Sequence, residues 1–179
     1  MNPKWFIPMA VGCFLFLCSI PTLIERYSAF SRMNSLENRY QQFASENSDS
    51  LVVAFDSVLI NKIAANAVVA NRAREIVISD GDFAAADFSE LKHLPNLEEV
   101  VIYSGTNCDA VVPIVNQLKS LKTITFADCG LSDTGFDQLN HQGITSFGMS
   151  AFTRSWSDET VGRLKERMPD CSFEIAVQE

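Results

Sequence analysis

The apolar positions of the chain change their spacing from one end to the other, and each spacing names a different element. From Trp5 to Ile24 runs an uncharged stretch of 20 residues, which as a helix rising about 1.5 Å per residue covers about 30 Å, the thickness of a bilayer's hydrocarbon core. From Glu25 to Ser45 the apolar residues Tyr27, Phe30, Met33, Leu36, Tyr40 and Phe43 recur every three to four positions, the period of an amphipathic helix. The polar run Ser45 to Ser50 reads as a connection. Beyond it, short apolar runs with the pattern of strands are separated by stretches with helical spacing.

Lys4 precedes the first run, Trp5 opens it, and Glu25, Arg26 and Tyr27 follow it, all side chains that reach interfacial water. This predicts a single-pass transmembrane anchor over residues 1–24, placing the protein at the cell membrane through residues 5–24. A cleaved secretory signal is the competing reading, but no Ala-x-Ala pattern closes the run. A lipoprotein signal at Cys13 competes less well, because the apolar stretch continues past that cysteine. Lys4 on one side is set against Arg26, Arg32 and Arg39 on the other, so the count of positive residues leaves the side of the following domain open. The amphipathic helix and its linker occupy 25–48. Its stripe is expected to pack on the domain that follows and is too short for a coiled coil.

The third segment, 49–179, carries an internal repeat. Leu94-x-x-Leu97-x-x-Val100-x-Ile102 matches Leu118-x-x-Leu121-x-x-Ile124-x-Phe126 without a gap. A step of 24 residues joins Val100 to Ile124, and the same step backwards reaches Ile76 and then Val52. Forwards, Phe147 with Met149 falls 23 residues on, and Cys171 another 24. Between the strands, Ser132 or Asp133 caps a short helix burying Phe136 and Leu139, and Ser157 to Leu164 repeats the design. Ala84 to Leu94 and Asp109 to Leu118, with Pro113 in the first turn, are the equivalent helical stretches. One strand and one helix per unit, stacked in parallel, join their apolar faces into one core.

The segment Leu121-x-x-Ile124-x-Phe126-x-x-Cys129 resembles the core motif of the leucine-rich repeat family, Leu-x-x-Leu-x-Leu-x-x-Asn/Cys. The resemblance is to the helix-containing kind similar to ribonuclease-inhibitor-like repeats, in its bacterial membrane-anchored form. It covers roughly residues 49 to 175 and is strongest from Leu91 to Leu139. It implies an α/β fold, a short leucine-rich repeat solenoid with parallel strands on a concave face and helices on a convex one. The sequence departs from the family at the Asn/Cys position, where Gly81, Gly105 and Phe152 stand in neighbouring units; the hydrogen bonding of the turns is in question there.

Charge narrows the partners. The chain has 14 basic and 22 acidic residues, a net charge of −8. Residues 1–24 hold one lysine and no acid, so the rest carries 13 basic and 22 acidic side chains, with no basic cluster to offer nucleic acid a site. Catalytic chemistry has little material. His93 and His141 fall at helix ends, where exposure or a helix dipole accounts for them. Asp80 with Asp82, and Asp158 with Glu159, stand beside helix starts as caps. Cys108, Cys129 and Cys171 lack the paired spacing of a zinc site, an odd three argues against a disulfide framework, and burial suits Cys129 and Cys171. No catalytic residue, cofactor or metal is assigned, and the chain is read as a non-enzyme.

What remains is a surface. Between the buried strand positions Val77 and Ser79, Val101 and Tyr103, Thr125 and Ala127, and Gly148 and Ser150 point outwards. The residues expected to meet a partner are Val77, Val101, Tyr103, Thr125 and Ser150, with Trp156 from the irregular stretch Ser150 to Trp156, which also holds Phe152 and Arg154 and reads either as a contact loop or as a buried irregularity. Plain strand propensity is the bland alternative for the β-branched residues. Two functions follow. One is a membrane-tethered module that recognises a protein or peptide through its concave face. The other is a structural subunit of a membrane assembly, held by the amphipathic helix and the solenoid ends, with no reversible ligand.

Overall fold

A computed structural model describes residues 37–45, 50–54, 57–151 and 156–177, without the side chains of 50–54 and Asp80. The run Trp5 to Ile24 expected to cross the membrane lies outside the described residues, as do Tyr27, Phe30, Met33 and Leu36. No helix among the described residues is long and apolar enough to cross a membrane. The chain forms two compact units, Met1–Gln42 and Phe43–Glu179. Of the first, residues 37–42 are helical, and Gln41 Nε2 donates to Glu37 Oε1 at 2.8 Å.

The second unit is α/β, a six-stranded parallel sheet flanked by helices. Its strands β1 (Ser50–Ala54), β2 (Glu75–Asp82), β3 (Glu99–Thr106), β4 (Thr123–Ala127), β5 (Ser146–Ala151) and β6 (Ser172–Val177) lie side by side in chain order. Between them run α1 (Ser57–Ala64), α2 (Ala67–Ala70), a 3-10 turn at Ser89–His93, another at Cys108–Val111 leading into α3 (Val112–Val115), α4 (Asp133–Gln138) and α5 (Asp158–Arg167).

Burial alternates along the strands because successive side chains point to opposite faces. Ile76, Val100, Ile124, Phe147 and Phe173 form one row across the sheet, and Ile78, Ile102, Phe126, Met149 and Ile175 the next. In β2 to β5 these side chains are buried, and each contributes about 1.5–3 kcal/mol by leaving water. Phe147 is the hub of an aromatic layer, with ring centroids 6.1 Å from Phe126, 5.9 Å from Phe136 and 5.7 Å from Phe173.

The 24-residue step holds in the middle and fails at both ends. Leu51, not Val52, pairs with Ile76, and Phe173, not Cys171, pairs with Phe147. The connections set these offsets. Ahead of β2 the chain adds the short helix α2, capped by Asn66 accepting from Val68 and Val69 N–H. Ahead of β6, α5 has ten residues where α4 has six. Cys171 therefore precedes the last strand and is half-exposed rather than a core residue.

The expected helix over Ala84 to Leu94 shrinks to the turn Ser89–His93. Asp82 Oδ1 accepts the Ala84 N–H at 3.0 Å and Asp87 Oδ1 the Ser89 N–H at 2.9 Å, local bonds that compete with a helix. Phe83 and Phe88 are buried on either side of that stretch. At Gly105 a Cβ would sit 2.0 Å from Phe83 Cε2, so the ring fills the space that a turn side chain would need. Ser132 and Ser157 cap α4 and α5 as their positions predict, accepting from Thr134 and Thr160 N–H.

Candidate functional site

The other face of the sheet carries three rows in register. Glu75, Glu99, Thr123, Ser146 and Ser172 form the first; Val77, Val101, Thr125, Gly148 and Glu174 the second; Ser79, Tyr103, Ala127, Ser150 and Ala176 the third. Val77, Val101, Thr125 and Ser150 stand half-buried on this face, and Tyr103 is 43% exposed near its centre. Five of the six residues singled out in the sequence thus share one surface.

Trp156 does not. It is 7% exposed, with its ring centroid 6.0 Å from Phe136 beneath the sheet. An indole of this size gains more from that aromatic layer than from solvent, so the buried alternative holds for this residue and it is withdrawn from the contact set. Phe152 and Arg154 lie outside the described residues.

Beside Thr125 the face sinks into a hollow of about 280 Å³, bounded by Thr125, Ser146, Gly148, Ser150, Ser172 and Glu174 among others. Gly148 makes it possible, since a Cβ there would stand 3.1 Å from Thr125 Oγ1 and begin to fill the floor. Glu174 was missed in the sequence because the 24-residue step placed β6 two residues out of register. The alternation Phe173-Glu174-Ile175 was the available signal, with aromatic and branched residues marking the inward face.

The charges sit at the start of the strands. Glu75 and Glu99 are neighbours on β2 and β3. Burial, and then the charge of Glu75, push the Glu99 carboxyl up. Glu98, on the alternate side, takes Arg74 Nη1 and Lys122 Nζ, each at 3.1 Å.

Several other titratable groups are tied into the scaffold. His141 is buried rather than exposed; its Nε2 lies 2.6 Å from the Leu118 carbonyl and its Nδ1 accepts the Gly143 N–H at 3.0 Å. That pairing describes a neutral imidazole donating from Nε2. Cys108 and Cys129 are buried thiols in contact, and the hydrogen bond to Cys129, then burial, push the Cys108 thiol far up, away from nucleophilic reactivity. Asp82 also accepts from Asn107 Nδ2 at 2.7 Å, and Glu159 pairs with Arg163 at 3.0 Å. Among the described residues no three of His, Cys, Asp and Glu gather as a metal site.

The chain matches no protein-family model, and no curated protein is similar to it. The reading of its function therefore stands on the residues and their arrangement.

Proposed function

We propose that the protein is a membrane-tethered recognition module: a short leucine-rich-repeat-like solenoid, held by the run Trp5 to Ile24, that binds a protein or peptide through the outer face of its sheet without cofactor or catalysis. One observation carries the reading. The sheet buries one face under its helices and leaves the other with Tyr103 exposed among Val77, Val101 and Thr125, a rigid surface with an aromatic anchor. The strand register fixes those side chains relative to one another, so little conformational freedom is lost on docking. Units spaced 24 residues apart over β2 to β4, each placing the same positions inwards, support the resemblance to leucine-rich repeats.

The alternative, a structural subunit held through the amphipathic helix, gains no support from Phe43. Phe43, on that helix, is 3% exposed, with the Arg72 guanidinium 5.6 Å from its ring centre and Arg72 Nη1 donating to the Ala44 carbonyl at 2.8 Å. An apolar-to-acidic change there disturbs folding before any assembly contact.

The test is affinity capture of the detergent-solubilised full-length protein beside its Tyr103→Ala and Val101→Asp variants, each checked for an unchanged melting temperature. A partner held by the wild type and lost by both folded variants is the expected result. Equal capture by all three contradicts recognition by this face.

A further inference from the structure

We infer that the hollow over Gly148 receives a basic side chain, Lys or Arg, from the polypeptide that docks on the sheet; this rests on the recognition reading above and specifies what it selects. Among the described residues the hollow is lined by one carboxylate, Glu174, and by no cationic side chain. Lys165, the lysine beside β6, has its Nζ 5.8 Å from the centre of the Phe173 ring, on the opposite face of that strand.

The hydroxyls around the hollow are uncommitted. Elsewhere hydroxyls serve the fold: Ser120 donates to the Pro95 carbonyl, Ser132 to Asp109, and Ser157 bonds Thr160. Thr125, Ser146, Ser150 and Ser172 have no side-chain hydrogen bond among the described residues, and Glu174 has no ion pair there. Four hydroxyls and a carboxylate around one concavity form an acceptor-rich, negatively charged cup with no cationic side chain among the described residues that line it.

Size and shape favour a single long side chain. At about 280 Å³ the hollow lies at the lower end of pockets that hold small-molecule ligands. The bare backbone of Gly148 and the methyl of Ala176 offer the apolar floor on which the methylene stem of Lys or Arg lies, while the head group, with three or five donors, reaches the carboxylate and hydroxyls. Glutamine has the stem and donors but no charge to complement Glu174, and an acidic side chain is repelled.

The test is NMR titration of the isotope-labelled full-length protein in detergent micelles with capped Ala-Lys-Ala, Ala-Arg-Ala and Ala-Gln-Ala. The expected result is saturable movement of the Gly148, Ser150 and Glu174 amides, with a basic peptide bound about threefold more tightly than the glutamine one, the scale of an exposed ion pair. Glu174→Gln removes that preference. Gly148→Val fills the cup at a position whose φ is not positive, and abolishes the shifts; Ser150→Leu, from the wall, does the same should the valine variant fail to fold. Equal binding of Ala-Gln-Ala, or shifts that survive filling of the cup, overturns the inference. Those results leave the recognition reading standing if capture still depends on Tyr103, whereas capture indifferent to Tyr103→Ala overturns both.

Discussion

Two aspartates do the same work one unit apart. Asp109 Oδ1 accepts the Ser132 N–H at 2.9 Å and Asp133 Oδ1 the Ser157 N–H at 2.7 Å, so each ties its own turn to the serine that caps the next helix. Hydrogen bonding, first from the Ser157 backbone, holds the Asp133 carboxyl below the usual carboxylate range. A depressed value in the fold means stabilisation present above the unfolded value near 3.9 and lost as pH falls through the folded one. Melting curves of Asp133→Ala should therefore lie below wild type at neutral pH and approach it as pH falls below the unfolded carboxyl value; a gap that does not narrow in acid contradicts the linkage. These aspartates are visible in the sequence only as helix-start acids, because the bond reaches the following unit. In sequence His141 is only a helix-end residue for the same reason, its partner being the carbonyl of Leu118, 23 residues earlier. Removing the imidazole leaves that buried carbonyl and the Gly143 N–H unpaired. His141→Leu should cost about 1–3 kcal/mol in urea unfolding, and an unchanged midpoint would contradict the assignment.

At the scale of elements, the central strands were legible because their apolar alternation and their spacing agree: Ile76, Val100, Ile124 and Phe147 take the rows that the sequence predicts. The outer strands were not, because a fixed step carries no information about α2 or the length of α5, and a one-residue slip exchanges the two faces of a strand. The middle strands keep their parity, so five of the six expected contact residues lie on one face; β6 is displaced by two residues, which keeps its faces but brings Glu174 across from Gly148 where the step places Ser172. Trp156 shows a second limit, since its aromatic neighbours come from other units. The register also sets Glu75 beside Glu99. With the Glu99 carboxyl pushed up by burial and by Glu75, its contribution is fully present below the unfolded carboxyl value and lost as pH rises through the folded one. Glu99→Gln should raise the melting temperature at pH 7 and have little effect near about pH 3.5, below the unfolded glutamate value. An equal shift at both pH values would point to packing in place of charge.

At the scale of the molecule, the compact unit that carries the sheet begins at Phe43. A fragment beginning there should fold, whereas one beginning at Ser50 loses the buried Phe43 ring and about 3 kcal/mol or more in urea unfolding; equal stability of the two would place the ring outside the cooperative unit. The larger division is between the two faces of the sheet, one filled by the aromatic layer around Phe147, the other bearing Tyr103 and the hollow at Gly148. The second face is the proposed docking surface for another polypeptide. The most direct measurement is photocrosslinking in intact cells, with a benzophenone amino acid placed at Tyr103 or, for comparison, at Val68, which is 74% exposed on α2. A single adduct of defined mass at Tyr103 and none at Val68 is the predicted result. No adduct at Tyr103, or the same adduct from Val68, would contradict it.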